Sequence, residues 1–238
     1  MKKLVVVYLL FIIFAMLIRS VHGSVTIQAI VDQNIHVAFD FKNINFTIYE
    51  EIKRRDLFNQ STIPQIIVNN LKQQNLTHVA YYNPEIVFNE PNKSIHAAFY
   101  LSGSDILNFT FNKTTMAKVY HVRTDWRKFH VNLTDEFSLN FTEYFGTPIT
   151  QWQRVNYTDL ENRTHPAYYY NYTGPIPFDP VCYFILPITA TNDRPVKDMI
   201  IFEIPPSLED VLLNSPFLII GALIIVNIAA FLYRKVGK

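Results

Sequence analysis

The chain has 238 residues, with 21 Lys or Arg against 20 Asp or Glu, a single Cys and only six Gly. No basic stripe stands out, which argues against nucleic acid as a partner. The lone Cys182 excludes an intramolecular disulfide, and so few glycines exclude a Gly-rich phosphate cradle.

The chain opens with Lys2 and Lys3, an apolar run over residues 4–18, and Val21-His22-Gly23 before Ser24. That order predicts a secretory signal peptide over residues 1–23, cleaved before Ser24. An uncleaved anchor is the alternative, but the apolar run is short for a span of about 20 residues. All 20 acidic residues fall between Asp32 and Asp210, while six basic ones sit at the two ends, so the intervening segment is net acidic.

From Ser24 onward, alternation dominates. Val25, Ile27, Ala29 and Val31 predict one strand, and Ile35, Val37, Phe39 and Phe41 a second. At Lys42-Asn43 the phase flips to Ile44, Phe46 and Ile48, which predicts a bulge followed by more strand. Residues 50–58 are charged and predict a helical turn. Residues 62–75 predict the best helix, with Pro64 in the first turn and Ile63, Ile67 and Leu71 at a spacing of four. Strands are expected at 77–82, 85–89, 94–101, 107–112, 116–123, 128–133 and 137–142. The pattern breaks over residues 159–180, where four prolines and a tyrosine run predict an irregular surface loop. Strands resume at VCYFIL and at DMIIFEI, and a short stalk helix is expected over 205–215.

Residues 216–233 form an apolar stretch followed by Arg234, Lys235 and Lys238. At 1.5 Å per residue it reaches about 27 Å, which predicts one transmembrane helix with residues 234–238 as a cytoplasmic basic tail. The expected fold is thus a β-rich α+β external domain over residues 24–204, plus this C-terminal helix. A β-sandwich-like form is preferred, and an open sheet with one packed helix is the runner-up.

Eleven N-x-[ST] triplets start at Asn45, Asn59, Asn75, Asn92, Asn108, Asn112, Asn132, Asn140, Asn156, Asn162 and Asn171. Independent placement of these residue types predicts roughly two, so the density points to N-glycosylation in an exported chain. In seven triplets the middle residue is Phe, Leu or Tyr, which on a strand predicts Asn and Thr to solvent and the apolar residue to the core. Phe109 and Phe111 are therefore expected to face inward from an exposed strand. The alternative is an outer strand face that happens to be rich in Asn and Thr.

Motifs for catalysis are missing. Cys182 lies in an apolar run and reads as a buried strand residue rather than a nucleophile. The histidines show no metal spacing, and the pairs Glu50-Glu51 and Asp135-Glu136 point to opposite faces if extended. No metal or cofactor is expected. Tyr168, Tyr169, Tyr170, Tyr172 and Phe178 form a candidate contact loop for protein or carbohydrate, against the alternative that they fold back onto the domain edge. Asn227 is the strongly polar residue of the expected span and a candidate contact to a neighbouring membrane helix.

The expected function is therefore a single-pass type I membrane glycoprotein of a cell or virion surface, not an enzyme, acting as a structural, adhesion or recognition module. Its C-terminus would be cytoplasmic and its partners the membrane, itself or another membrane protein. An accessory subunit of a membrane complex is the alternative, and a membrane-tethered hydrolase a further one.

Overall fold

The computed structural model describes residues 23–54, 58–174 and 179–207, together with residues 209, 211, 220, 221, 223–228 and 233. The expected signal peptide apart from Gly23, the tail and about half of the stalk and span lie outside the described residues. Among the described residues, no helix is long and apolar enough to cross a membrane.

A β-rich domain forms, built on one large mixed sheet. Its strands, in chain order, are β1 (Ser24–Val31), β2 (Ile35–Lys42), β3 (Ala80–Asn89), β4 (Ser94–Ser102), β5 (Leu107–Phe111), β6 (Lys118–Arg123), β7 (His130–Asn132), β8 (Ser138–Asn140), β9 (Gln153–Thr158), β10 (Thr164–Asn171), β11 (Asp179–Ile185), β12 (Thr191–Val196) and β13 (Met199–Ile204). Seven of them make the large sheet in the order β3-β4-β2-β1-β11-β10-β9, in which only β1 and β11 run parallel. A four-stranded sheet β12-β13-β6-β5 and the β7-β8 pair complete the set. The helices are α1 (Phe46–Arg54), α2 (Thr62–Gln73) and α3 (Phe141–Tyr144).

Alternation places one face of the large sheet in the core. Val25, Ile27, Ala29 and Val31 of β1 continue across Phe39 and Phe41 of β2, Ile95, Phe99 and Leu101 of β4, and Cys182 and Phe184 of β11. Ile63, Ile67 and Leu71 of α2 join the same cluster, as do Tyr49 and Ile52 of α1. Phe39 meets Phe129 at 5.8 Å and Phe141 at 5.9 Å, ring centre to ring centre. Such aromatic contacts add to the transfer free energy of burial. Val122, Ile200 and Phe202 bring the four-stranded sheet to this cluster.

Several expectations change in three dimensions. The phase flip at Asn43 starts a helix, not a continued strand. Asn43 takes a left-handed φ of 55°, and the Asn45 carboxamide accepts from the Thr47 amide at 2.9 Å, capping α1. Ile48, Tyr49 and Ile52 then follow helical spacing, and Phe46 is exposed. Strands 77–82 and 85–89 are one strand, β3, broken by a bulge at Asn83-Pro84. Residues 137–142 split into β8 and α3 because Asn140 caps the Glu143 amide. The expected loop over 159–180 is largely β10 and the start of β11, with Pro166 and Pro180 near their strand starts, where a missing N–H is tolerated. Neither β9 nor β12 was anticipated by hydrophobic alternation, since both carry mostly polar residues.

Phe109 and Phe111 also depart from expectation. They lie on the side of the four-stranded sheet that carries Val122, because Leu107 pairs with Val122 and Phe109 with Tyr120. That side outruns the layer covering it, so the two rings are 51% and 56% exposed. Direction followed from alternation; burial did not.

Candidate functional site

The tyrosine run splits between two faces. Tyr168 and Tyr170 pair with Phe184 and Cys182 and point to the core side, whereas Tyr169 pairs with Tyr183 on the opposite side. Tyr168 is buried, and its hydroxyl donates to Asp193 Oδ2 at 2.9 Å. Burial, with the Asp193 carboxylate, pushes that phenol well above its usual range. Tyr170 stacks on Trp152 at 5.3 Å and bonds Thr147 Oγ1 at 2.9 Å, while Tyr172 packs on Tyr144. The proposed contact loop is therefore corrected to a strand with its rings committed inward and outward in turn. Phe178 lies outside the described residues. Asn227 lies in the helical segment 223–228, and its amide donates to the Leu223 carbonyl at 2.8 Å, so one of its two donors is satisfied within its own helix.

Cys182 is fully buried, and burial raises its thiol far above the usual range, with Arg127 opposing. That environment keeps the thiol protonated and without nucleophilic character. Asp125 is held by Arg123 Nε at 2.7 Å. Among the described residues, no three His, Cys, Asp or Glu side chains are placed to hold a metal.

None of the eleven sequon asparagines is buried: Asn112 and Asn140 are half-buried and the other nine exposed. The alternation expected within the triplets holds at Asn156-Tyr157-Thr158 on β9, with Tyr157 half-buried. It fails at Asn45-Phe46-Thr47 and Asn108-Phe109-Thr110, whose rings are exposed, and at Thr134, which is buried to cap the Glu136 and Phe137 amides.

The register of the large sheet reveals a surface that sequence reading missed. On the side away from the core, three rows of side chains run across the strands. One is Tyr82, Tyr100, His36, Ile30, Ile185, Ala167 and Val155. The next is Glu85, Ala98, Ala38, Gln28, Tyr183, Tyr169 and Gln153, and the third is Val87, His96, Asp40, Thr26, Val181 and Asn171. Ala38, Ala98, Ala167 and Ile185 are buried beneath larger neighbours and are absent from the core cluster. None of these positions is Lys or Arg. With Tyr157, whose hydroxyl accepts from Gln28 Nε2 at 3.3 Å, the face holds five tyrosines. Tyr-rich, Lys-poor composition is typical of contact surfaces.

The rings on this face order one another. Tyr82 stacks on Tyr100 at 5.0 Å, His36 lies 4.8 Å from Tyr100, and Tyr183 lies 4.9 Å from Tyr169 and 5.6 Å from Tyr157. Beside the β1-β2 turn, Ile30, Asp32, Gln33, Asn34, His36 and Tyr100 line a shallow depression of about 350 Å³. The charges are internally matched: His96 Nδ1 lies 2.8 Å from Asp40, and Nε2 lies 3.7 Å from Glu85. Burial pulls the His36 imidazole below its usual range; Glu85 opposes this and His96 adds to it. Both His96 nitrogens are turned to carboxylates, a poor arrangement for moving a substrate proton.

No family model, curated protein or solved structure matches this chain.

Proposed function

We propose that the chain is an exported, N-glycosylated surface protein whose β-sandwich-like external domain acts by contact and assembly, anchored by residues 216–233 with the C-terminus inside. The observation that supports this most directly is that nine of the eleven sequon asparagines are exposed and none is buried, in a chain where that triplet is several-fold over-represented. Asparagine favours the surface in any protein, so it is the combination of density and accessibility that carries weight. The Tyr-rich outer face supports contact as the mode of action, and the neutral, buried Cys182 gives no support to catalysis.

Glycopeptide mass spectrometry of the protein from its natural source tests the proposal. The expected result is a glycan on most of the nine exposed sequons. Uniformly bare asparagines would overturn it, as would protease shielding of residues 24–204 in intact cells.

A further inference from the structure

We infer that the outer face of the seven-stranded sheet is a symmetric interface for a second copy of this chain. The two sheets would pack face to face about a two-fold axis running along β1.

β1 is the fourth of seven strands, so it divides the face into two halves of three strands. A two-fold axis along it sets β2 against the partner copy's β11, β4 against β10, and β3 against β9. The rows then match large with small. Tyr183 stands opposite Ala38, Tyr169 opposite Ala98 and Tyr100 opposite Ala167, so that no two tyrosines collide across the axis. Tyr82 meets Val155, and Gln28, Ile30 and Thr26 each meet their own counterparts on the axis. Charge is compatible as well: Glu85 faces Gln153, Asp40 faces Val181 and His96 faces Asn171, so no carboxylate opposes another. Asp40 and Glu85 already lie beside His96, and in the next row Lys42 would face Asp179 of the other copy, so the face does not call for a strongly charged partner.

The area suffices. Seven strands about 4.8 Å apart and three rows about 7 Å apart cover roughly 600 Å² per copy. Two copies would bury about 1,200 Å², the lower end of stable protein interfaces, in the aligned geometry common to packed sheets. Asn171, the one sequon on these rows, is the last residue of β10 and stands opposite His96 of the other copy, so the interface requires that site to be bare.

The test uses the full chain in mild detergent. Gln28→Cys places a thiol on the axis, and the native Cys182 is buried and does not compete. A short bis-maleimide should link Gln28→Cys chains into dimers and leave Lys113→Cys, on the exposed β5-β6 turn, monomeric. Tyr169→Ala should weaken the dimer about tenfold or more in a dilution series followed by light scattering. A glycan wedge, Gln28→Asn with Ile30→Thr, should yield folded monomer. A monomeric wild-type chain, a dimer unaffected by the wedge glycan, or capture of a different polypeptide by Gln28→Cys would each overturn the inference. The glycan arm rests on the proposed export, whereas crosslinking does not. Bare sequons with intact Gln28→Cys dimers would therefore sink the glycoprotein reading alone.

Discussion

Arg127 has five N–H groups and finds five acceptors. Nε donates to the Phe145 carbonyl, Nη1 to the Thr124 carbonyl and hydroxyl, and Nη2 to the Thr147 carbonyl and Asp198, all between 2.7 and 3.2 Å. The side chain is fully buried beneath Trp152, whose ring centre lies 5.0 Å from the guanidinium carbon. It thereby ties together three loop carbonyls that no strand ladder serves. Arg127→Met should destabilise the domain by about 3–5 kcal/mol, because the Phe145 carbonyl loses its donor and the Thr124 and Thr147 carbonyls and Asp198 each lose one of theirs. Chemical denaturation followed by tryptophan fluorescence checks this, and a loss under about 1 kcal/mol would refute the assigned role. Asp193 makes a second, pH-dependent tie. Two bonds from Arg154 at 2.7 Å, with the Tyr168 hydroxyl, hold its carboxyl below the usual range. The unfolded chain therefore takes up the proton first as pH falls. The stabilisation is complete above the unfolded value near 4 and drains as pH drops through the folded one. Asp193→Asn keeps an acceptor for Tyr168 and should flatten the acid limb of a stability–pH curve below about pH 4; an unchanged limb would refute the tie.

If the sequons carry glycans as proposed, they and the prolines would share one task at the sheet edges. Of the four edges of the two larger sheets, β3 carries Pro84 and a bulge, and β12 carries Pro195 and an irregular register. The other two, β5 and β9, carry the sequons Asn108 and Asn156 instead. An unpaired edge is a template for association, and either a missing N–H or a bulky polar group blocks it. On β5 the need is greater, since Phe109 and Phe111 are exposed and Phe111 lines a small depression with Asn112, Lys113 and Met116. Asn108→Gln and Asn156→Gln together should therefore raise aggregation several-fold on concentration, with folding retained. Light scattering of the doubly substituted chain beside the wild type checks this; equal solubility would show that the glycans do not guard these edges. The regular elements were the legible ones. β1, β2, β4 and α2 follow from periodicity because each buries a single face or stripe over eight residues or more. The helix α1 was hidden because a local Asn cap overrides a short stretch that alternates equally well as strand.

At the scale of the whole molecule, the parallel pairing of β1 with β11 joins the two halves of the large sheet and the two ends of the domain. This long-range contact brings Cys182 and Phe184 beside Ile27 and Ala29 and sets the inner face on which α2 packs. It also creates the outer face, whose rows draw residues from Thr26 to Ile185. The sequence by itself determined the β-rich composition of the domain, the period of its main strands, the burial of Cys182 and the density of sequons. Each of these is a local or compositional property. Only the tertiary structure decided that Tyr168 and Tyr170 turn inward while Tyr169 turns out, that Phe109 and Phe111 stay exposed, and that five tyrosines share one outer face. Alternation says that a strand has two faces. Which of them meets a covering layer depends on strand order and register, and those are set by pairings between residues far apart in the chain.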